Sequence, residues 1–438
     1  MSDIHLNSTE PTPPTPTTLP EPGEMRVMED VTDTMAVAPA PSANVTPLST
    51  ATQRRLNQAA SVEHLAARQS VSPLDANTLE VKQRLSDLRA EATTLVTGLR
   101  WDGVSVEETA ERLISLIDIG PLQQWIPLVV PTLLEIDRAG NLIPVWFKII
   151  EQEDPQDIAP SENPAETMIG RARRYGILML GYYKSPEVSR FLGSLAADPC
   201  SSLYATRSLV KQSTVAALQA LTNALKDAKG WAKVDVVDAF ALINLARFHE
   251  LLTASGLDSA NGLESYVAAP LYRTLPLERY LRGGKDIPPR LTEQAALIFS
   301  QVLQDSMRNS TGTEPIVFER DLPTLANALF EGARNAPAWQ NVVALHRLAS
   351  LLGRYWADIS RGTIQDSQIA QPVYATLPVM PEVERWMNGT GRNVLLAALS
   401  SQDEAAFSPA LKVLTEIREP RAASVLMQRL ESTSRVTG

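Results

Sequence analysis

Apolar residues recur along much of this chain at the three- and four-residue spacing of a helix that is buried on one side. The pattern is clearest over residues 171–260, which divide into three segments of thirty residues with aligned apolar columns. A repeat of this length with helical spacing inside it is typical of stacked helix pairs, because one pair alone cannot bury its apolar face. We therefore predict an all-α fold, an α-α superhelix or α-solenoid. The aligned columns are Leu180, Val210 and Phe240; Val188, Leu218 and Phe248; Phe191, Leu221 and Leu251; and Met179, Leu209 and Ala239.

Turn and capping residues divide these segments into predicted helix pairs. Pro186 lies at the first position of a second helix, where a backbone N–H is not needed. Ser213 or Thr214 can cap the equivalent helix of the next segment, because a hydroxyl oxygen accepts from the first free N–H groups of a helix. Upstream, Ser105 and Glu108 have the spacing of a capping box. The chain is therefore predicted to alternate short helices with tight turns.

The thirty-residue pattern is not uniform along the chain. It returns at residues 404–432, where the Glu419-Pro420 turn matches Ser185-Pro186 of the first segment. Between residues 256 and 290 the spacing fails, and we predict that the array is interrupted there. Polar residues and prolines between Arg361 and Pro381 predict a loop.

The first 75 residues differ in composition from the rest. They are rich in Pro, Thr, Ser and Ala, and Pro11–Pro22 reads PTPPTPTTLPEP. Such a segment has too few large apolar residues to offset the entropy of ordering. We therefore predict two parts, a disordered tail over residues 1–75 and a helical solenoid over residues 76–438. The tail serves either as a tether or docking peptide, or as a linker without specific contacts.

Composition fits an array of helices better than a nucleic-acid-binding protein. Apolar residues make up 44% of the 438 residues and aromatic residues only 5%, which favours Leu- and Ala-rich helix packing. The net charge is −10, whereas a general phosphate-backbone binder needs a basic surface. Of the 50 acidic and 40 basic residues, nine acids and four bases lie in the tail, so 41 acids and 36 bases remain. This balance argues against nucleic acid as a partner.

The single cysteine, Cys200, excludes a disulfide framework within one chain. The N-terminus has no basic region followed by an apolar one, so no signal peptide is predicted. The most apolar run, Leu122–Ile150, is broken by polar residues and prolines and is not expected to span a membrane. These features together predict a cytoplasmic protein.

Short motifs with possible chemistry are incomplete. His249-Glu250 resembles the start of a zinc-protease motif, but Thr253 stands where the second histidine is required. Ser208 and Lys211 have the spacing of a serine acylase motif without its other elements. Neither Gly283-Gly284-Lys285 nor Gly389-Thr-Gly391 completes a phosphate-binding loop. We therefore predict no catalytic residue, no metal site and no cofactor.

Two clusters of arginine and tyrosine are candidates for binding another protein, because these residue types anchor many interfaces. The second cluster lies where the repeat pattern fails, and solenoids often carry functional insertions at such places. The first patch comprises Arg171, Arg173, Arg174, Tyr175, Tyr182, Tyr183 and Lys184, and the second comprises Tyr266, Tyr272, Arg273, Arg279, Tyr280, Arg282, Lys285 and Arg290.

The units at residues 171–260 and 404–432 resemble HEAT repeats. Each has a first helix, a turn that contains proline in two of them, and a second helix, and Asp198 and Asp227 stand in the turns between units. Arg171–Arg174 resembles the basic start of the first helix in that family, while Val234-Asp235 departs from it. The resemblance implies a scaffold or adaptor that holds a partner protein on a concave surface.

The leading hypothesis is a non-enzymatic scaffold that binds another protein on the concave face formed by the second helices, centred on Tyr266–Arg290. Two alternatives come from other proteins with HEAT-like repeats. One is a DNA-binding protein or DNA-repair glycosylase, which would need a basic groove. The other is a lyase that attaches a tetrapyrrole, for which no residue of the sequence identifies a pigment site.

Overall fold

The computed structural model describes residues 74–117, 122–152, 171–308 and 315–437, so that the predicted tail lies, except for its last two residues, outside the described residues. Throughout these ranges the regular secondary structure is helical and no strand occurs, which confirms the all-α prediction. The α-helices are α1 Leu79–Thr97, α2 Val106–Ile117, α3 Leu122–Ile136, α4 Ile143–Gln152, α5 Arg171–Leu180, α6 Pro186–Ala196, α7 Ser202–Gln212, α8 Val215–Asp227, α9 Trp231–Ile243, α10 His249–Ser255, α11 Glu264–Thr274, α12 Leu277–Arg282, α13 Pro289–Arg308, α14 Leu322–Asn335, α15 Trp339–Ser360, α16 Ser367–Thr376, α17 Met380–Trp386, α18 Arg392–Ser400, α19 Glu404–Glu416 and α20 Arg421–Thr437. Short 3₁₀ or π-helical segments occupy Gly98–Asp102, Ala246–Phe248, Ile316–Glu319, Leu377–Val379 and Met387–Gly391.

Side-chain caps begin several helices at the predicted positions. The Ser105 hydroxyl accepts a hydrogen bond from the Glu108 amide at 3.1 Å, before α2. Ser185 caps α6, and Pro186 is the first residue of that helix. Thr214, rather than Ser213, caps α8 by accepting from the Ala217 amide at 3.1 Å. Ser213 instead has a left-handed backbone with φ 51°, which turns the chain between α7 and α8.

Helices of the regular block pack in two layers. Within a layer, each helix contacts the helix that follows two positions later along the chain. Helices α5, α7 and α9 form one layer, and α6 and α8 belong to the other. The Ser208 hydroxyl of α7 donates to the Ile177 carbonyl of α5 at 2.8 Å, and Ser202 of α7 donates to the Asp235 carboxylate of α9 at 2.5 Å. These residues are separated by 31 and 33 positions, so each first helix lies parallel to the next, one repeat further on.

The predicted interruption at residues 256–290 is a change in repeat length. Helix α9 packs on α11, α11 packs on α13, and α13 packs on α15, so stacking continues through this region. The hydrogen bonds between successive units now join residues further apart, such as Tyr272 to Val317 over 45 positions and Arg347 to Ser300 over 47. Helices α13 and α15, with 20 and 22 residues, account for much of the extra length.

The predicted loop between Arg361 and Pro381 is wrong, because most of this segment is helical. Asp366 caps α16 by accepting from the Gln368 amide at 2.9 Å, and Val373 of that helix is fully buried. Pro378 and Pro381 lie in the first turns of the next two helical segments, where no N–H is required. These two prolines therefore mark consecutive helix starts, while Pro372 lies inside α16.

Two apolar clusters stabilise the described array. The larger one extends from Val81 to Val383, and the smaller one joins the start of α15 to helices α18 to α20. In this last part the links between units return to shorter separations, since Arg429 donates to the Leu399 carbonyl across 30 positions. Among the described helices, none is both long enough and apolar enough to cross a membrane.

Candidate protein-binding surface

The structure buries two arginines of the first patch, Arg173 and Arg174. Arg173 is buried and donates to the Ile150 carbonyl at 2.9 Å and to the Ser201 hydroxyl at 3.3 Å. The guanidinium of Arg174, also buried, lies 5.8 Å from the ring centroid of Tyr204. Both side chains face neighbouring helices because α5 is enclosed between α4 and α7. The prediction that Arg173 and Arg174 form an exposed binding surface is therefore corrected.

Two tyrosines of the second patch are also buried. The Tyr272 hydroxyl donates to the Val317 carbonyl at 2.8 Å, and its ring is parallel to that of Phe299. Burial raises the pKa of Tyr272 well above the ordinary value of 10.0. Burial likewise raises the pKa of Tyr280, and the nearby charge of Glu250 adds to this effect. Tyr272 and Tyr280 stabilise the fold and cannot anchor a partner.

Most arginines of the second patch are exposed but paired. Arg273 donates from two nitrogens to Glu319 at 2.7 Å each, and Arg282 donates to Glu331 at 2.8 Å. Arg290 lies 3.9 Å from Asp258. The hydrogen bonds of Glu319 raise the pKa of Arg273, and the same bonds lower the pKa of Glu319. The Arg273 and Arg282 pairs connect one repeat to the next, which limits how freely these two side chains can bind a partner.

Some predicted residues do remain accessible. Arg279 and Lys285 are exposed and form no ion pair with any described residue, and the Arg279 guanidinium lies 5.9 Å from the ring centroid of Tyr280. Tyr266, 37% exposed, packs against Trp231 with ring centroids 5.1 Å apart. In the first patch Tyr182 is 39% exposed and Lys184 is exposed.

Tyr182 belongs to a row of exposed apolar residues, and the other three members of the row were not predicted from the sequence. Val215 and Leu242 are 83% and 73% exposed, and Leu245 is 40% exposed. All four residues lie at the turns that join the two helices of a unit, in three consecutive units. The thirty-residue alignment contained the signal, because Tyr182 aligns with Leu242 and Val215 with Leu245. Aligned apolar columns predict core positions, whereas these four residues are exposed.

Direct contacts hold the first two of these turns together. The Gln212 amide donates to the Leu180 carbonyl at 3.2 Å and to the Tyr183 carbonyl at 3.0 Å. The Lys211 ammonium lies 5.1 Å from the ring centroid of Tyr182, within cation–π distance. Since α5, α7 and α9 run parallel, the third turn follows along the same edge. We name this surface the turn ridge, defined by Tyr182, Lys211, Val215, Leu242 and Leu245.

The surroundings of the turn ridge are more basic than the protein as a whole. Exposed basic side chains outnumber acidic ones on these three turns and on the helices next to them, although the chain has a net charge of −10. None of the basic side chains forms an ion pair with a described residue. The basic residues are Lys184, Arg190, Arg207, Lys211, Lys226 and Arg247, and the acidic ones are Glu187, Asp227 and Glu250.

The described residues contain no group of histidine, cysteine, aspartate and glutamate side chains that could hold a metal ion. The Ser208–Lys211 motif does not form a catalytic pair either. The Ser208 hydroxyl is buried and donates to Ile177, while the Lys211 ammonium lies over Tyr182. Cys200 is buried.

Comparison with known proteins identifies no family for this chain. No family model matches it, and neither a curated protein nor a solved structure does. The resemblance to HEAT repeats therefore stays a prediction.

Proposed function

We propose that this protein is a non-enzymatic helical-repeat scaffold that binds an acidic, amphipathic segment of a partner protein along the turn ridge. The observation that carries the proposal is the exposure of Val215, Leu242 and Tyr182 on three consecutive turns of one edge. Contiguous apolar side chains with a polar rim are characteristic of interaction sites, because exposing them to water is unfavourable. The basic side chains beside them favour an acidic partner.

The turn ridge replaces the surface expected from the sequence, which was centred on Tyr266–Arg290. Burial of Tyr272 and Tyr280 and the pairing of Arg273 leave that region few free anchors. Arg279 still contributes, because Tyr280 next to it lies near Glu250 at the start of α10, close to the third turn. From the second patch we therefore add Arg279 to the basic rim of the turn ridge.

The spacing of the turns favours a helix in the partner. Packed helices lie about 8–10 Å apart, so consecutive turns repeat at roughly that distance. Seven residues of α-helix rise about 10.5 Å. A partner helix lying along the turn ridge would therefore place one apolar residue on each turn if such residues recur every seventh position. Glutamates on either side of that stripe would face the basic residues.

A designed peptide tests this proposal directly. The probe is a labelled helix of three heptads with leucine at every seventh position and flanking glutamates, and its binding to the full chain is followed by fluorescence anisotropy. We expect binding that weakens with salt and falls at least tenfold in a Val215→Ser/Leu242→Ser double variant. The matched control is Met427→Ser, since Met427 is 59% exposed at a distant helix and should not matter.

Two further probes test whether binding depends on the charge of the partner. A peptide with lysine in place of every glutamate should bind much more weakly, and duplex DNA should not compete for the site. Equal binding of the acidic and basic peptides, or equal affinity of the wild type and the double variant, would contradict the proposal. Strong, salt-sensitive binding of duplex DNA would favour the DNA-binding alternative instead.

A further inference from the structure

A cavity of about 300 Å³ opens between α11 and α13, separate from the turn ridge. Its polar lining comes from Ser265 and Tyr266 at the start of α11 and from Asp305, Ser306 and Arg308 at the end of α13. Its apolar lining includes Val302 and Ile316. The proposed scaffold function does not use this cavity. A concave site of this size with a few convergent polar groups suits a small ligand.

The Asp305 carboxylate is held in place through one of its two oxygens. Oδ1 accepts from the Ser265 hydroxyl at 2.8 Å and from the Gln301 amide at 3.0 Å. Gln301 also donates to the Ser265 hydroxyl at 3.1 Å, which fixes all three side chains. Oδ2 accepts no hydrogen bond from any described residue. One carboxylate oxygen is thus oriented by the protein while the other can accept a donor from a ligand.

Arg308 supplies an opposite charge in the same cavity. It lies one helical turn after Asp305, at the exposed end of α13. Even so, the two side chains form no ion pair, and Arg308 forms none with any other described residue. Arginine and aspartate at this spacing on a helix can pair directly. Here both line the cavity unpaired, so a ligand that carries both charges can lie between them.

The remaining walls suit an apolar group next to those charges. Val302 is buried, Ile316 is half-buried, and the Tyr266 ring is braced by Trp231. A cation near the Tyr266 ring would gain a further favourable interaction. The cavity therefore offers an acceptor for an ammonium, a donor for a carboxylate and an apolar wall.

We propose that this cavity binds a small zwitterion, an α-amino acid with an apolar side chain. The ammonium donates to Oδ2 of Asp305, the carboxylate accepts from Arg308, and the side chain lies against Val302 and Ile316. No covalent step is involved. A site that pairs with both charges binds an analogue lacking one of them more weakly, because the interaction with Asp305 or with Arg308 is lost.

The experiment measures binding of L-leucine to the full chain by isothermal titration calorimetry. Two analogues each lack one charge, since 4-methylpentanoate has no ammonium and 3-methylbutylamine has no carboxylate. We expect leucine to bind and each analogue to bind at least tenfold more weakly. If leucine and its apolar relatives valine and methionine give no heat at millimolar concentration, or if either analogue binds as tightly as leucine, the proposal is wrong.

Two variants test which residues bind the ammonium and the carboxylate of leucine, and two others serve as controls. Asp305→Asn and Arg308→Gln should each weaken leucine binding at least tenfold, with circular dichroism verifying that both variants remain folded. Exposed Asp286→Asn, outside the cavity, should bind like the wild type. The turn-ridge variant Leu242→Ser should also keep leucine binding, which separates this proposal from the proposed scaffold function. Undiminished affinity in folded Asp305→Asn would overturn the assignment.

Discussion

Gly332 of α14 packs directly against the backbone carbonyl of Leu281 in α12, so closely that a Cβ atom would not fit between them. The obstacle is a carbonyl oxygen of the main chain, which cannot rotate away as a side chain would. Helices α12 and α14 belong to successive units, and this glycine sets their distance. We therefore expect Gly332→Ala to destabilise the protein by about 2–4 kcal/mol, in the range of overpacked cores and strained contacts. Urea unfolding monitored by circular dichroism measures the loss.

The chain contains a matched control for this glycine. Gly353 lies inside α15, and an added Cβ would meet no atom within 4 Å. Alanine is favoured over glycine in a helix interior by about 1 kcal/mol, so Gly353→Ala should raise stability by up to that amount. Similar effects of the two substitutions would show that the close approach of α12 and α14 is not what limits stability.

Tyr272 predicts a loss of stability at alkaline pH. Burial raises the pKa of Tyr272 above its ordinary value of 10.0, so the folded state keeps the phenol proton more tightly than the unfolded state. The stabilisation is complete below pH 10 and is lost as the pH rises toward the folded pKa. Tyr272→Phe removes this dependence, so the free energy of unfolding should fall less steeply above pH 10, by up to about 1.4 kcal/mol per pH unit.

At neutral pH the same substitution should be destabilising. The Val317 carbonyl would lose its hydrogen bond from the Tyr272 hydroxyl, which costs about 1–2 kcal/mol for a buried group. Urea unfolding at pH 7 and at half-unit steps from pH 9 to pH 11.5 gives both quantities. Parallel curves for the wild type and Tyr272→Phe across this range would contradict the assigned cause.

Gln212 should be important for the geometry of the turn ridge. Its side chain donates to the Leu180 and Tyr183 carbonyls and accepts from the Ser189 hydroxyl at 2.7 Å. Gln212→Leu keeps much of the volume but removes these three hydrogen bonds at a buried position, which we expect to cost about 2–4 kcal/mol. Thermal unfolding measures this loss. Gln219, exposed on α8, is the matched control, and Gln219→Leu should change stability by less than about 0.5 kcal/mol.

Substitutions of the arginines of the second patch should differ in their effect on stability, because only some of these arginines form ion pairs. Arg273→Glu breaks the two hydrogen bonds to Glu319 and places two acids together, whereas Arg279→Glu breaks no ion pair. Because Arg273 and Glu319 are both largely exposed, solvent screening limits the loss to about 1 kcal/mol. The double variant Arg273→Glu/Glu319→Arg should recover most of it. A stability loss that the exchange of charges does not restore would argue against the pair as the cause.

Arg279→Glu should affect binding instead of stability. Arg279 extends the basic rim of the turn ridge, so its reversal should weaken the acidic peptide probe by about threefold to tenfold, a typical effect of a rim charge. Lys211→Glu, on the ridge itself, should weaken it more, because it also removes the cation–π contact with Tyr182. Anisotropy titrations at two salt concentrations test both, and an unchanged affinity for Lys211→Glu would count against the ridge as the binding surface.

The sequence was sufficient for the local features of this fold. Helical periodicity and caps depend on residues within one or two turns, so the stacked pairs of residues 171–260 and the caps at Ser105 and Thr214 could be predicted. Between Arg361 and Pro381 the same local features led to a wrong prediction, a loop in place of helices. Three prolines in a polar stretch indicate a loop, unless Asp366 and the burial of Val373 stabilise a helix start there.

Which side chains are accessible was decided only by the tertiary structure. Arg173 is buried where it donates to a carbonyl 23 residues away in the sequence. Tyr272 is buried where it donates to a carbonyl 45 residues further along the chain. Ser265 and Asp305 meet across 40 residues to form one wall of the cavity. Such pairings depend on how successive helices stack, and a change of repeat length from about thirty to about forty-seven residues shifts all of them. The sequence by itself therefore determined the helices and their repeat, while long-range packing determined the surfaces with which this protein can bind.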